Sequence, residues 1–308
     1  MRIAFLGTPE FAVPSLLALI GRGDDVAVFT QPDRPVGRHK TPVAPPVKQT
    51  ALEHGIPVFQ FEKIKSPEGV EALRSFRPDW MVTAAFGQIL SAEDLAVPEY
   101  GCVNVHGSLL PKYRGAAPIQ WAVINGETET GITTMLTDIG MDTGNILLQR
   151  TVPVDPDETA GELYDRLAVI GADVLLETLA AFEKGSLTRI PQDASAATVC
   201  PMLKKEHGRI DFHKPARAVH NLVRGVNPWP GAYAELDGQP VKIWKTALVP
   251  DMPAAGTPGT CSGSPKEGLY IACGEGNVQV LELQLPGGKR LDAATFLRGN
   301  SLSGKILT

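Results

Sequence analysis

The first half of the chain alternates short apolar runs with segments whose apolar residues recur at helical spacing, and this alternation constrains the fold most. Residues 3–6 form an apolar run that ends at Gly7, as is typical of a buried parallel strand. Residues 26–30, 80–85 and 102–105 predict three further strands of this kind. Strands and helices in alternation form an open, mostly parallel sheet with helices, so the N-terminal part is predicted to be a Rossmann-like α/β domain.

Capping signals indicate where two of the helices begin. Thr8 suits an N-cap and Pro9 suits the first helical position, where its missing N–H does no harm. The apolar face of that helix is predicted to carry Val13, Leu16, Leu17 and Ile20. Thr159 and Glu162 have the spacing of a capping box and predict a second helix start.

The periodicity fades between the two halves of the chain. Residues 189–206 are polar and contain Pro191 and Pro201, which indicates a linker. The predicted domains are therefore residues 1–188 and residues 207–308.

The second domain has a different pattern, in which short strand-like runs are separated by turns rich in glycine and proline. These runs are residues 241–245, 268–273 and 277–285. Such a pattern predicts a small C-terminal β-barrel of the OB-like type. In the last run the alternation changes parity between Val280 and Leu281, as a β-bulge would require.

Composition narrows the class of protein. Hydrophobic residues make up 43% of the 308 residues and charged residues 20%, the mix of an ordinary soluble globular protein. The chain has no apolar run of membrane-spanning length, and no export signal precedes its first predicted strand, so a cytoplasmic location is expected. Its four cysteines are scattered without a C-x-x-C pair, which favours reduced thiols over a disulfide framework or a zinc site.

Polar residues near the end of one predicted strand suggest chemistry at a carbonyl group. Asn104 and His106 alternate onto the same side of the strand 102–105, at the edge where open α/β sheets bind ligands. An amide and an imidazole there can stabilise the oxyanion that forms at a carbonyl carbon. Asp142, in the glycine-punctuated segment 138–144, can orient His106 and take the proton of an attacking amine. Local backbone bonds and ordinary turn chemistry explain the same residues, so spacing leaves both interpretations open.

Three ordered motifs resemble the signature of the folate-dependent formyltransferases. They are residues 104–111 (NVHGSLLP), 113–118 (YRGAAP) and 138–144 (DIGMDTG). Further segments are similar to those members of the family that act on methionyl-tRNA, namely residues 7–11, 31–38, 208–212 and 227–232. The resemblance covers effectively the whole chain, which is identified as a member of this family.

The resemblance implies an activity and a catalytic set. It implies transfer of the formyl group of 10-formyltetrahydrofolate to the free amino group of initiator methionyl-tRNA, for translation initiation. Asn104, His106 and Asp142 match the catalytic residues of the family, and the implied mechanism is direct attack of a neutral amine on the formyl carbon. Neither a metal ion nor a covalent enzyme intermediate is implied. Residues 1–188 would be the catalytic domain and residues 207–308 the tRNA-binding domain.

The resemblance also implies a folate site built from two segments. One consists of Ser108, Leu109, Leu110 and Pro111, and the other of Phe86, Gly87, Gln88, Ile89 and Leu90. The second segment usually begins with Tyr and ends with Pro in the family, so Phe86 and Ser91 depart from the pattern. Core packing is an alternative interpretation of Leu109 and Leu110.

Residues 31–48 are rich in proline and basic side chains. A solvated surface loop is one interpretation. The resemblance implies that this loop enters the tRNA acceptor stem, with contacts from Arg34, Arg38 and Lys40, and Arg38 matches the key basic residue of the family. No membrane contact and no stable protein partner is implied.

Three other functions share some of these sequence features. A formyltransferase that acts on an amino-sugar nucleotide or a purine precursor would share the same catalytic centre, but the basic loop argues against it. A non-catalytic RNA-binding protein is opposed by the intact catalytic set. A nicotinamide dehydrogenase is excluded because residues 7–11 (GTPEF) lack the glycines that let a pyrophosphate approach the backbone.

Overall fold

The computed structural model describes residues 1–36, 41–250, 252, 254 and 256–308. The strands are β1 (Arg2–Gly7), β2 (Asp25–Thr30), β3 (Arg34–Val36), β4 (Thr41–Val43), β5 (Val58–Gln60), β6 (Trp80–Ala84), β7 (Gly101–His106), β8 (Arg114–Gly115), β9 (Glu129–Leu136), β10 (Ile146–Pro153), β11 (Val199–Cys200), β12 (Ala232–Leu236), β13 (Gln239–Leu248), β14 (Cys261–Ser264), β15 (Gly268–Ala272), β16 (Asn277–Gln284) and β17 (Leu291–Asp292). The helices are α1 (Val13–Arg22), α2 (Pro46–Glu53), α3 (Pro67–Phe76), α4 (Ala92–Leu95), α5 (Pro118–Ile124), α6 (Ala160–Glu183), α7 (Ala216–Gly225) and α8 (Ala293–Gly299).

The chain forms two compact units that interleave along the sequence. The first comprises Met1–Gly115, Thr130–Val152 and Tyr164–Val199, and the second comprises Ala116–Glu129, Pro153–Leu163 and Cys200–Thr308. The predicted boundaries at residues 188 and 206 stay a prediction. The units differ from them mainly because two short earlier segments, residues 116–129 and 153–163, belong to the second unit.

The first unit is built on a mostly parallel sheet. Over the described residues it has seven strands in the order β10-β9-β7-β6-β1-β2-β5. The pairs β1/β2, β1/β6, β2/β5 and β6/β7 are parallel, and β7/β9 is antiparallel. The central strands are buried, which explains why they appear in the sequence as continuous apolar runs. The predicted Rossmann-like sheet is confirmed.

The start of the first helix differs from the prediction. Thr8 does not cap it, because the Thr8 hydroxyl donates to the carbonyl oxygen of Phe86 at 2.9 Å. A short 3-10 turn follows, and α1 begins only at Val13. The buried face of the helix also differs from the prediction, since Leu19 is buried and Leu17 is 40% exposed. The predicted capping box at the start of α6 is confirmed, since Glu162 and Thr159 bond each other's backbone N–H.

The second unit contains an antiparallel sheet. Its described strands follow the order β12-β13-β16-β15-β14, with β17 paired to β16. Its core includes apolar residues from α7, β13 and β16, among them Val219, Val223, Ile243 and Val280. Opposite β13 the register passes from Lys245↔Glu282 to Thr246↔Val280 and leaves Leu281 unpaired, so the predicted bulge is confirmed. In the part of the chain that the structure describes, no helix has the length and apolar character needed to cross a membrane.

Candidate active site

The candidate site lies at the carboxyl ends of the parallel strands of the first unit. Asn104 and His106 are two residues apart on β7, so their side chains leave the sheet on the same side. Thr83, at the end of β6, is in register with Asn104, and Gly7 ends β1 beside Ala84. This is the edge at which open α/β sheets bind their ligands.

The structure brings Asp142 to these two residues. One carboxylate oxygen of Asp142, Oδ1, lies 3.5 Å from the amide nitrogen of Asn104. The other, Oδ2, lies 3.7 Å from Nδ1 of His106 and accepts a hydrogen bond of 2.8 Å from the backbone N–H of Gly115. The predicted set of amide, imidazole and carboxylate is therefore assembled from two segments that are distant in the sequence.

A backbone carbonyl determines the tautomer of His106. Nε2 of the ring lies 2.9 Å from the carbonyl oxygen of Tyr113. A carbonyl can only accept, so Nε2 carries a proton and donates to it. In the neutral ring, Nδ1 then bears the lone pair, and this is the atom that faces Asp142. Only the proton on Nδ1 is free to be gained or lost during a reaction.

A hydroxyl group orients the amide of Asn104. The Thr83 hydroxyl donates to Oδ1 of Asn104 at 2.9 Å. This hydrogen bond turns the amide nitrogen of Asn104 toward Asp142. Thr83 is buried, so water does not readily replace it as the partner of the amide oxygen.

The segment that carries Asp142 has an uncommon backbone conformation. Asp142 has a φ of 53°, in the left-handed region, which is uncommon for a residue other than glycine. Gln192 is bonded to this segment, since its Nε2 donates to the carbonyl oxygens of Asp142 at 2.8 Å and Gly144 at 2.7 Å. At Gly144, a Cβ atom would lie 1.7 Å from the carbonyl oxygen of Leu136, so only glycine fits there.

The predicted folate segment 108–111 is held by buried and partly buried hydrogen bonds. The hydroxyl of Ser108 donates to the carbonyl oxygen of Lys112 at 2.7 Å. The hydroxyl of Thr133 donates to the carbonyl oxygen of Ser108 at 2.6 Å and accepts from the N–H of Leu110 at 3.1 Å. Leu110 packs in a buried cluster with Met135 and Ile146, so the core-packing interpretation holds for this leucine.

The other predicted folate segment, 86–90, is buried only at its two ends, while Gln88 is half-buried and Gly87 and Ile89 are exposed. Phe86 and Leu90 belong to the core of the first unit. Gln88 holds the neighbouring segment 61–64, since its Oε1 accepts from the N–H of Ile64 at 2.6 Å and its Nε2 donates to Phe61 O at 2.9 Å. Ile89 is different, because its side chain is 82% exposed. Gly87 has a φ of 81°, which glycine adopts without strain.

Two of the three predicted tRNA-contacting residues, Arg38 and Lys40, lie outside the described residues. Arg34 lies on β3, which pairs antiparallel with β4, and its guanidinium forms an exposed ion pair of 2.6 Å with Glu62. At the end of the same basic segment, Lys48 donates to Asp33 at 2.8 Å. Hydrogen bonds from Gln60 and Lys48 lower the pKa of Asp33.

The cysteine beside Asn104 is not a nucleophile. Cys102 is buried in β7, and burial raises the pKa of its thiol to about 12. The thiolate, which is the reactive form, is therefore scarce at neutral pH. Within the described ranges, no group of three or more His, Cys, Asp or Glu side chains is arranged to hold a metal ion.

Comparison with known proteins assigns the family. Residues 1–179 match the family model described as formyl transferase, and residues 202–301 match the model of the formyl transferase C-terminal domain. The chain belongs to the formyl transferase family.

Other members of the formyl transferase family are similar over the full length. A relative from Geotalea uraniireducens (strain Rf4), named methionyl-tRNA formyltransferase, is 52% identical over 309 residues, which cover 100% of this chain and 98% of that protein. A second relative of the same name, from Acetivibrio thermocellus, is also 52% identical, over 100% of this chain and 99% of that protein. The solved structure of WlaRD, a sugar 3N-formyl transferase, superposes with a TM-score of 0.69 at 20% identity, over 92% of this chain and 97% of that one, which shows a shared fold.

Four supporting residues of this formyl transferase site were missed by the sequence analysis. They are Thr83, Thr133, Gln149 and Gln192. Gln149 donates to the carbonyl oxygen of Leu110 at 2.8 Å and to the hydroxyl of Thr133 at 2.9 Å. Gln192 lies in the segment predicted to be a linker, where no periodicity or motif indicates a role. Thr83 was detectable only as a polar residue at the end of a buried strand.

Proposed function

We propose that this chain transfers the formyl group of 10-formyltetrahydrofolate to the free amino group of initiator methionyl-tRNA, giving formylmethionyl-tRNA for translation initiation. The observation that carries the reaction type is the convergence of Asn104, His106 and Asp142 at the carboxyl edge of the sheet. The acceptor is inferred from full-length relatives that bear the name methionyl-tRNA formyltransferase. We expect the reaction to take place in the cytoplasm, as is usual for translation enzymes.

Asn104 is proposed to stabilise the negative charge that develops on the formyl oxygen. Its amide N–H groups face the site because Thr83 holds the amide oxygen. A donor that is already oriented costs no reorganisation when the charge appears, and removing one such donor typically lowers kcat by about 10²–10³-fold.

His106 and Asp142 are proposed to take the proton that the amine loses as its nitrogen bonds the formyl carbon, and to return it to the folate nitrogen as the bond from that nitrogen to the formyl carbon breaks. Nε2–H of His106 is committed to Tyr113, so a transferred proton passes through Nδ1, which is 3.7 Å from Oδ2 of Asp142. The protonated ring carries a second N–H donor for the reacting carbonyl, and the carboxylate beside it stabilises that positive charge. Such hydrogen bonds are often long without substrate and shorten when it binds.

The segments 86–90 and 108–111 are proposed to hold the folate. Ile89 offers an exposed apolar side chain that suits the face of a flat ring. WlaRD, which has the same fold, was crystallised in the presence of 5-N-formyl-THF. The exposed side chain of Ile89 and the turn at Gly87 support the proposal that such a ligand binds here, where it would supply the formyl group. We further propose that the loop residues Arg34, Arg38 and Lys40 and the C-terminal domain bind the tRNA.

The experiment measures transfer of labelled formyl from the folate to initiator methionyl-tRNA, elongator methionyl-tRNA and an amino-sugar nucleotide. Transfer to the initiator tRNA alone is expected. Transfer to the amino-sugar nucleotide in place of the tRNA would reassign the acceptor, and binding of tRNA without any transfer would favour the non-catalytic alternative.

Variants connect this activity to the site. Asn104→Ala and Asp142→Asn are each expected to lower kcat by about 100-fold. Asp193→Asn is the matched control, because Asp193 is exposed and its carboxylate caps the turn at Ser195, a task that asparagine also performs. Unchanged kcat in Asn104→Ala and Asp142→Asn would remove these residues from the mechanism.

A further inference from the structure

Gln192 uses every polar atom of its side chain on two segments of the active site. Its Nε2 donates to the carbonyl oxygens of Asp142 and Gly144, at 2.8 and 2.7 Å. Its Oε1 accepts from Nε and Nη2 of Arg114, at 3.0 and 2.8 Å. The carboxamide therefore joins the segment 142–144 to the segment 113–115.

Both segments touch the atoms that carry the proposed chemistry. In the segment 113–115, the carbonyl oxygen of Tyr113 accepts from Nε2 of His106, and the N–H of Gly115 donates to Oδ2 of Asp142. In the segment 142–144, Asp142 supplies the carboxylate itself. A link between the two segments therefore sets how His106 and Asp142 face each other.

The backbone of Asp142 depends on such a link. Its φ of 53° persists only where surrounding contacts hold it, because a residue with a Cβ atom is strained there. Gln192 binds the carbonyl of the strained residue and the carbonyl two positions later. Both carbonyl oxygens require a hydrogen-bond donor. A glutamate carboxylate at position 192 could still accept from Arg114, but it has no N–H group to donate to these two carbonyls.

We infer that Gln192 is a positioning residue. Its carboxamide holds the left-handed turn at Asp142 against the segment 113–115, and this sets the distance between the Asp142 carboxylate and Nδ1 of His106. This role rests on the proposed function of Asp142. An amide is required at position 192 because the site needs donors on one side and an acceptor on the other.

The main variant is Gln192→Glu, which keeps the shape and the acceptor for Arg114 but removes both donors. A displacement of a catalytic group by about 1 Å can cost about 100-fold in rate, so we expect kcat to fall by that order. The KM values for the folate and for methionyl-tRNA should stay within about twofold, because the substrate-binding segments are untouched. Gln192→Asn, which has the same groups on a chain one methylene shorter, should change kcat in the same direction without adding a charge.

A double variant distinguishes positioning from a general loss of structure. If Gln192 acts through Asp142, then adding Gln192→Glu to Asp142→Asn should lower kcat by less than about threefold further. Thr178→Val is the control for stability, because it removes buried hydrogen bonds to Thr134 and Val174 in the same unit. It should lower the melting temperature and leave kcat within about twofold of the wild type.

Several outcomes would overturn the inference and leave the proposed function intact. One is loss of activity in Asp142→Asn together with wild-type kcat in both Gln192 variants. A second is a fully additive loss of kcat in the double variant, and a third is a rise in KM without a fall in kcat in the Gln192 variants. The fourth is a loss of kcat in Thr178→Val equal to that in Gln192→Glu. Wild-type activity in Asp142→Asn would instead contradict the proposed function, and with it the role of Gln192.

Discussion

Thr83 stands opposite Asn104 in the parallel pair β6/β7, and its hydroxyl donates to the amide oxygen of Asn104 at 2.9 Å. One buried hydroxyl thereby decides which end of the Asn104 amide faces the candidate site. A supporting residue of this kind affects the rate without touching the substrate.

Thr83→Val should lower kcat by about fivefold, because one hydrogen bond is worth about 1 kcal/mol and about 1.4 kcal/mol corresponds to a factor of ten. The substitution keeps the shape of the side chain and removes the donor that orients Asn104. Steady-state kinetics with methionyl-tRNA would measure the change, and Thr83→Ser should restore most of the rate. A serine variant as slow as the valine variant would contradict this explanation.

Gly144→Ala should damage both stability and rate. Its new Cβ atom would lie 1.7 Å from the carbonyl oxygen of Leu136, so the backbone that carries Asp142 must move. Overpacking of this type costs about 1–3 kcal/mol of unfolding free energy, which urea titration would measure beside kcat. Gly21→Ala in α1 is the control, because a Cβ atom there meets nothing within 4 Å. Equal behaviour of the two variants would refute the steric argument.

The stability of the second unit should depend on pH through His220. This ring is buried, with Nδ1 3.0 Å from the Thr246 hydroxyl and Nε2 3.2 Å from Pro156 O, and burial lowers the pKa of His220. Below the ordinary histidine pKa of about 6.5 the unfolded chain binds a proton that the folded chain resists. The contribution of His220 to the free energy of unfolding should therefore be fully present above about pH 6.5. It should decrease as the pH falls from about 6.5 toward the lowered pKa of His220 in the folded state.

Urea unfolding followed by tryptophan fluorescence between about pH 7.5 and pH 5.5 would measure this effect. Three of the four tryptophans, Trp121, Trp229 and Trp244, lie in the second unit, so the signal reports mainly on it. His220→Gln should flatten the dependence. An unchanged slope in that variant would assign the effect to another group.

Arg38→Ala should weaken formylation of methionyl-tRNA far more than it weakens folate binding. Loss of one phosphate contact should lower the slope of log affinity against log salt by about one, and we expect kcat/KM for the tRNA to fall at least about tenfold. Arg74→Ala is the control, since Arg74 is an exposed arginine paired with Glu93 on the surface of the same unit. Wild-type kcat/KM in Arg38→Ala would remove the basic loop from tRNA recognition.

The sequence alone predicted much of the fold and part of the site. Strand positions in the first unit followed from apolar runs, because a strand buried on both faces leaves such a run in the sequence. The bulge at Leu281 was predicted because a change of parity between strand residues has one simple structural cause. The predicted start of the first helix was wrong because the Thr8 hydroxyl donates to Phe86 O, a distant partner that local capping rules do not include.

By itself the sequence determined that Asn104 and His106 share a side of β7, since the alternation of side chains along a strand is local geometry. Only the tertiary structure decided that Asp142 reaches them, which end of the Asn104 amide faces the site, and that Gln192 bonds the carbonyl of Asp142. These relationships join residues that lie 21 to 50 positions apart. Periodicity reports which face of an element is buried, whereas contacts between distant segments depend on how the whole chain packs.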